Sequence, residues 1–184
     1  MRRQAVFLDR DGVLNRIVVR DGMPFAPVRL EDFQFLPGSC DAVRRIRDQG
    51  YLAIVVTNQP DITTGKQKPG VLAAMHEILR SELGVDDIFV CCHLDTDGCD
   101  CRKPKPGMLH AAAEKWDIDL SRSVMVGDRW RDVGAGKTAG CATVFIEYGY
   151  LEPNLEIADS IAVSLDEAVP FILEELKRRN RDLR

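Results

Sequence analysis

Apolar positions in this chain fall into short unbroken runs separated by longer stretches with helical spacing. Residues 4–9 (QAVFLD), 51–58 (YLAIVVTN), 87–92 (DIFVCC), 123–128 (SVMVGD) and 141–147 (CATVFIE) read as buried strands. Between them, residues 39–50 repeat apolar side chains at helical intervals and stop at Gly50. Residues 69–84 predict a second helix, with Val71, Met75, Ile78 and Leu79 on one stripe and Gly84 as its end. Helices are also expected over 106–116, 131–140 and 165–179, with a further edge strand at 158–164. Strand–helix alternation of this kind predicts an α/β, Rossmann-like parallel sheet with helices on both faces. Residues 16–35, with Pro24 and Pro27, break the pattern and read as a hairpin or flap over one sheet edge. No insertion is large enough for a cap domain, so one domain is expected over 1–184.

Composition narrows the picture only a little. A 184-residue chain with 45% hydrophobic and 29% charged residues suits one soluble globular domain. There is no apolar run long enough to span a membrane, and AVFL near the start is too short for a signal-peptide core. A cytoplasmic, monomeric protein is expected, and in that compartment the six cysteines would be metal ligands or free thiols rather than disulfides. A net charge of −4 argues against a general nucleic-acid binder. The basic stretch 177–184 reads as a solvated, frayed helix end.

Chemistry concentrates where the strands end. Ligands of an open parallel sheet sit beyond the carboxyl ends of its strands. There the chain carries Asp9-Arg10-Asp11-Gly12, then Thr57-Asn58-Gln59, then Gly127-Asp128-Arg129 with Asp132 following. Any one of these aspartates could simply cap a turn; together they predict a carboxylate cluster. Such a cluster repels itself unless a hard cation and a lysine relieve it. Mg²⁺ held by Asp9 and Asp128, with Lys103 alongside, would make a pocket for a phosphoryl group. An aspartate there can act as nucleophile, and a second carboxyl two residues on can serve as acid and base. Gly12 would allow a sharp exit from the strand and close backbone approach to phosphate oxygens.

FLDRDGVLN, VVTNQ, CRKPKPG and VGDRWRD, spanning residues 7 to 132, resemble the motifs of the haloacid dehalogenase superfamily. The resemblance implies an HAD-like phosphatase fold. It implies Asp9 as nucleophile and Asp11 as general acid/base, with Thr57 and the Asn58 backbone holding phosphoryl oxygens and Lys103 stabilising charge. Mg²⁺ would bind Asp9, the Asp11 carbonyl and Asp128, with Asp132 behind them positioning the metal waters or Lys103. DRDGVLN, EDFQFLPG and the cysteine-rich loop before CRKPKPGM are most similar to a cap-less subgroup. That subgroup contains D-glycero-D-manno-heptose 1,7-bisphosphate phosphatase and histidinol-phosphate phosphatase, which implies a phosphorylated small molecule as substrate.

In that subgroup a C-x-H…C-x-C loop binds zinc, and here it aligns as Cys91, His93, Cys99 and Cys101. A Cys₃His set is a closed structural site. Cys92 is a small buried residue or a spare thiol, with replacement of Cys91 as ligand the alternative, and a redox pair is the competing reading of the loop. Cys40 and Cys141 are expected in the core. Zinc at 91–101 would fix where Arg102 and Lys103 enter the pocket, Arg102 being placed to clamp a substrate phosphate or anomeric leaving group. PDITTGKQ after TNQ, the short zinc loop and DGMPFAPV depart from the heptose pattern, all beside the substrate. Another sugar phosphate, histidinol phosphate, a polynucleotide 3′-phosphate end or a non-catalytic zinc-stabilised binding role are therefore the rival readings.

Overall fold

The computed structural model describes residues 2–151 and 157–181. Six parallel strands form the sheet in the order β5–β4–β1–β6–β7–β8. They are β1 (Ala5–Leu8), β4 (Leu52–Asn58), β5 (Asp87–Cys91), β6 (Val124–Gly127), β7 (Ala142–Ile146) and the short edge strand β8 (Ser160–Ala162). The remaining strands, β2 (Val18–Arg20) and β3 (Met23–Phe25), make a separate antiparallel hairpin. Counting sheet strands alone, this is the doubly wound order in which the chain reverses direction at the centre. The reversal falls between β1 and β6, which pair Val6 with Val124 and Leu8 with Val126.

Both faces of the sheet are covered, which is why its strands read as continuous apolar runs. Alternate residues serve opposite cores. Val6, Leu8, Val55 and Val126 pack with α1 (Ser39–Asp48) and α5 (Leu165–Arg181). Ala5, Phe7, Ile54 and Met125 pack with α3 (Gly107–Trp116) and Ala135 of α4 (Trp130–Thr138). The second helix, α2 (Pro69–Ile78), continues as a π-helical turn over Leu79–Leu83 and stops at Gly84, which is left-handed at φ 65°.

Four expectations need correction. The buried stripe of α2 is Leu72, Met75, Leu79 and Leu83, while Val71 and Ile78 lie only half-buried. The stripe is rotated because α2 must also bury His76 beside Arg10. Cys141 is buried as expected, but Cys40, in the first turn of α1, is exposed. The basic C-terminal stretch is helical through Arg181 rather than frayed. Arg178 and Arg179 both pair with Glu175 at 2.6 Å, pulling its carboxyl down to about 2, and Arg122 bonds Asn180; residues 182–184 lie outside the described ones. Finally, the hairpin does not cover a sheet edge: Pro24 and Phe25 wall a cavity above the sheet centre.

Candidate active site

Asp9 leaves β1 and Asp128 leaves β6, side by side at the chain reversal. With Asp132, from the first turn of α4, they bring ligand oxygens within 4.8 Å of one another. Lys103 Nζ lies 2.9 Å from Asp9 Oδ1, 2.6 Å from Asp132 Oδ1 and 2.7 Å from the Val56 carbonyl. The Lys103 side chain is 2% exposed, so two of the three carboxylates, Asp9 and Asp132, share one buried cation. Burial pushes Asp9 up to about 7 despite the opposing pull of Lys103. Burial also pushes Asp128 well above the usual carboxylate range, with Asp9 and Asp132 adding repulsion. Burial alone would lower Lys103, but Asp132 and Asp9 outweigh it and raise its pKa.

This charge balance fits a divalent cation. Asp128 Oδ1 is buried without a hydrogen-bond partner, the signature of an atom meant for another ligand. Gly12, at φ +82°, makes the approach possible, since a Cβ there would fall 2.0 Å from Asp128 Oδ2. The glycine thus admits a carboxylate, a role in addition to the sharp exit and backbone approach expected of it.

The remaining site residues are placed by their neighbours. Asp11 is not in the three-carboxylate group. Its carboxylate accepts both Nε and Nη2 of the fully buried Arg10, Asn15 Nδ2 at 2.9 Å and Gln59 Nε2 at 2.7 Å. Arg10 is held from behind by the Phe33 ring, 5.7 Å away. Thr57 is buried, and its hydroxyl accepts Gln59 Nε2 at 2.8 Å, leaving its own proton to give. The Asn58 side chain clasps Lys103 at the cavity wall: Nδ2 donates to the Lys103 carbonyl and Oδ1 accepts its N–H, both at 3.1 Å. That clasp sets the lysine's backbone from the end of β4.

A cavity of about 210 Å³ opens on Asp9, Asp11, Lys103 and Asp128. Its walls include Phe25, Ala26 and Pro60, together with Arg102, Arg129 and Arg131. Asp95 joins two of these cations: Arg102 Nε donates to it at 2.9 Å and Arg131 Nη1 at 2.8 Å. Arg102 also reaches the His93 carbonyl at 3.0 Å.

The haloacid dehalogenase-like hydrolase family matches residues 15–140. The chain belongs to that family. It is 36% identical to D-glycero-beta-D-manno-heptose-1,7-bisphosphate 7-phosphatase of Haemophilus ducreyi, over 94% of this chain and 100% of that one. It is 38% identical to D-glycero-D-manno-heptose-1,7-bisphosphate 7-phosphatase of Thermosynechococcus vestitus, over 97% and 100%. Among solved structures, D,D-heptose 1.7-bisphosphate phosphatase from B. bronchiseptica, complexed with magnesium and phosphate, superposes with a TM-score of 0.81 at 32% identity. That match covers 94% of this chain and 99% of that one.

In this haloacid dehalogenase-like hydrolase the cysteine-rich loop brings together four side chains that could hold a metal ion. Cys91, His93, Cys99 and Cys101 converge, and Cys92 is not among them. Cys101 Sγ lies 3.2 Å from Cys91 Sγ, 3.5 Å from Cys99 Sγ and 3.3 Å from His93 Nδ1. Burial and the bond from Cys101 push Cys91 up to about 12. At Cys99 burial pushes the same way, but the bonds from Cys101 and the Arg102 N–H outweigh it and bring the thiol down to about 7.

Sequence reasoning missed Arg10, Gln59, Asp95, Arg131 and Tyr150 as parts of this site. Tyr150 donates its hydroxyl to Asp128 Oδ2 at 2.9 Å and stacks on Tyr148, ring centroids 5.5 Å apart. It lies just beyond the carboxyl end of β7, beside β6, where the rule about strand ends could have flagged it. Among the described residues no helix is long and apolar enough to cross a membrane.

Proposed function

We propose that this chain is a Mg²⁺-dependent phosphatase working through Asp9, and that its substrate is a sugar bisphosphate, D-glycero-D-manno-heptose 1,7-bisphosphate. The observation that carries the reading is the buried Asp9–Lys103–Asp132 array beside Asp128 at the chain reversal, opening into a cavity rimmed by arginines. The relatives' names supply the sugar. Arg102 and Arg131, already converged on Asp95, would meet the phosphate that does not react.

In this mechanism a carboxylate oxygen of Asp9 attacks phosphorus and the sugar oxygen leaves with a proton from Asp11. Water then attacks the aspartyl-phosphate, Asp11 takes its proton, and inorganic phosphate departs with Asp9 restored. Mg²⁺, held by Asp9, the Asp11 carbonyl and Asp128, would supply the positive charge that lets an anionic nucleophile meet an anionic ester. Lys103 fixes one Asp9 oxygen and adds charge beside the transferring group, while Asp132 holds Lys103. The Thr57 hydroxyl and the Asn58 backbone would donate to phosphoryl oxygens. Zinc in the 91–101 loop would be structural, and one chain supplies every group named, consistent with a single-domain monomer acting on a small molecule.

Phosphate release with Mg²⁺ tests the reading. The heptose bisphosphate should be hydrolysed fastest, at its 7-phosphate, ahead of sugar monophosphates, histidinol phosphate and a 3′-phosphorylated oligonucleotide. Faster turnover of any of the others would replace the substrate, and release from none would end the phosphatase reading.

The raised Asp9 also sets a pH dependence. Between its ordinary 3.8 and about 7 the metal-free fold binds a proton that the unfolded chain has released. That contribution to stability is present at low pH and lost as pH rises through 7. Mg²⁺ should therefore raise Tm more at pH 8 than at pH 5, as measured by differential scanning calorimetry. An equal shift at both would contradict the coupling of Asp9 to the cation.

A further inference from the structure

The two oxygens of Asp128 are not equivalent. Oδ2 is engaged: it accepts the Tyr150 hydroxyl at 2.9 Å and lies against Gly12, where only the missing Cβ makes room. Oδ1 is buried and has no partner. Tyr150 is itself held, by stacking on Tyr148 and by the Leu151 N–H, which donates to the Gly22 carbonyl at the hairpin tip at 3.1 Å. The carboxylate is thus clamped by a residue from the loop after β7 so that one oxygen is presented and the other withheld.

Divalent cations differ in what they ask of a carboxylate. Mg²⁺ is small, octahedral and satisfied by single oxygens, whereas Ca²⁺ takes more ligands and readily accepts both oxygens of one carboxylate. We propose that Tyr150 is a positioning residue that restricts Asp128 to one-oxygen coordination and thereby sets the site's preference for Mg²⁺ over Ca²⁺. The inference rests on the reading of Asp9 and Asp128 as metal ligands. Loss of the phenol hydroxyl would let the Asp128 carboxylate turn and offer both oxygens, a gain for Ca²⁺ and none for Mg²⁺.

The test is calorimetric titration of the zinc-loaded protein with Mg²⁺ and, separately, Ca²⁺. Wild type, Tyr150→Phe, Tyr148→Phe and Asp128→Asn are compared. Tyr150→Phe keeps the stacked ring and should raise the affinity for Ca²⁺ relative to Mg²⁺ by about fivefold or more. Tyr148→Phe, which removes a hydroxyl with no hydrogen bond to Asp128, should leave the ratio as in wild type. An unchanged ratio in Tyr150→Phe, or an equal change in Tyr148→Phe, overturns the role of the Tyr150 hydroxyl. If Asp128→Asn binds Mg²⁺ as wild type does, the metal-site reading itself fails and this inference falls with it.

Discussion

Replacing Asp9 with asparagine should reduce phosphate release by roughly three orders of magnitude or more, because the amide oxygen is a poor nucleophile and no other group is placed to take over. The variant should still fold. Asparagine is the same size, the Lys103 ammonium keeps Asp132 at 2.6 Å, and one of three mutually repelling carboxylates is gone. Removing a buried charge whose pKa the fold has raised is expected to hold or raise Tm in the absence of metal. Activity lost together with stability would mean that Asp9 serves the fold; activity lost alone marks it as the reacting group. Turnover near wild type would remove Asp9 from the mechanism.

The second large effect is expected at the cysteine cluster. Cys99→Ser should strip the chain of about one bound zinc and lower Tm by on the order of 10 °C. The consequence should reach the active site. Cys101 is followed directly by Arg102 and Lys103, and the loop is fastened to α4 through Asp95, which Arg102 and Arg131 share. A slack loop leaves the Asn58 clasp as the main hold on the Lys103 backbone. KM should therefore rise and kcat fall in whatever protein remains folded. Elemental analysis and a melting curve read the first part, and steady-state kinetics the second. Unchanged zinc content and Tm would count against Cys99 as a ligand.

The sheet was legible in the sequence because burial on both faces leaves uninterrupted apolar runs, and each predicted strand lies within about two residues of the observed one. The carboxylate cluster was legible for a related reason: Asp9 and Asp128 stand where those runs break off, and an open parallel sheet puts ligands there. What was not legible depends on which side chains meet across the fold. Arg10 carries no signal of its own between two aspartates, yet it is fully buried with its guanidinium on Asp11. Arg131 and Asp95 are 36 residues apart, and only the folded loop joins them. The stripe of α2 was misread because the pattern gives the period of a helix but not which way it rolls when a polar group such as His76 must also be buried. Exposed Cys40 shows the converse limit: a small apolar residue in the first turn of a helix need not face the core. Tyr150 carried no motif at all.

If Asp9 carries the phosphoryl group, rapid acid quenching during turnover of the heptose bisphosphate with Mg²⁺, followed by proteolysis and mass spectrometry, should trap it there. The peptide containing Asp9 should gain the mass of one phosphoryl group, transiently and only in the presence of substrate, and the gain should vanish in Asp9→Asn. Phosphate released at full rate with no modified peptide, or with the phosphoryl group on a peptide lacking Asp9, would contradict it.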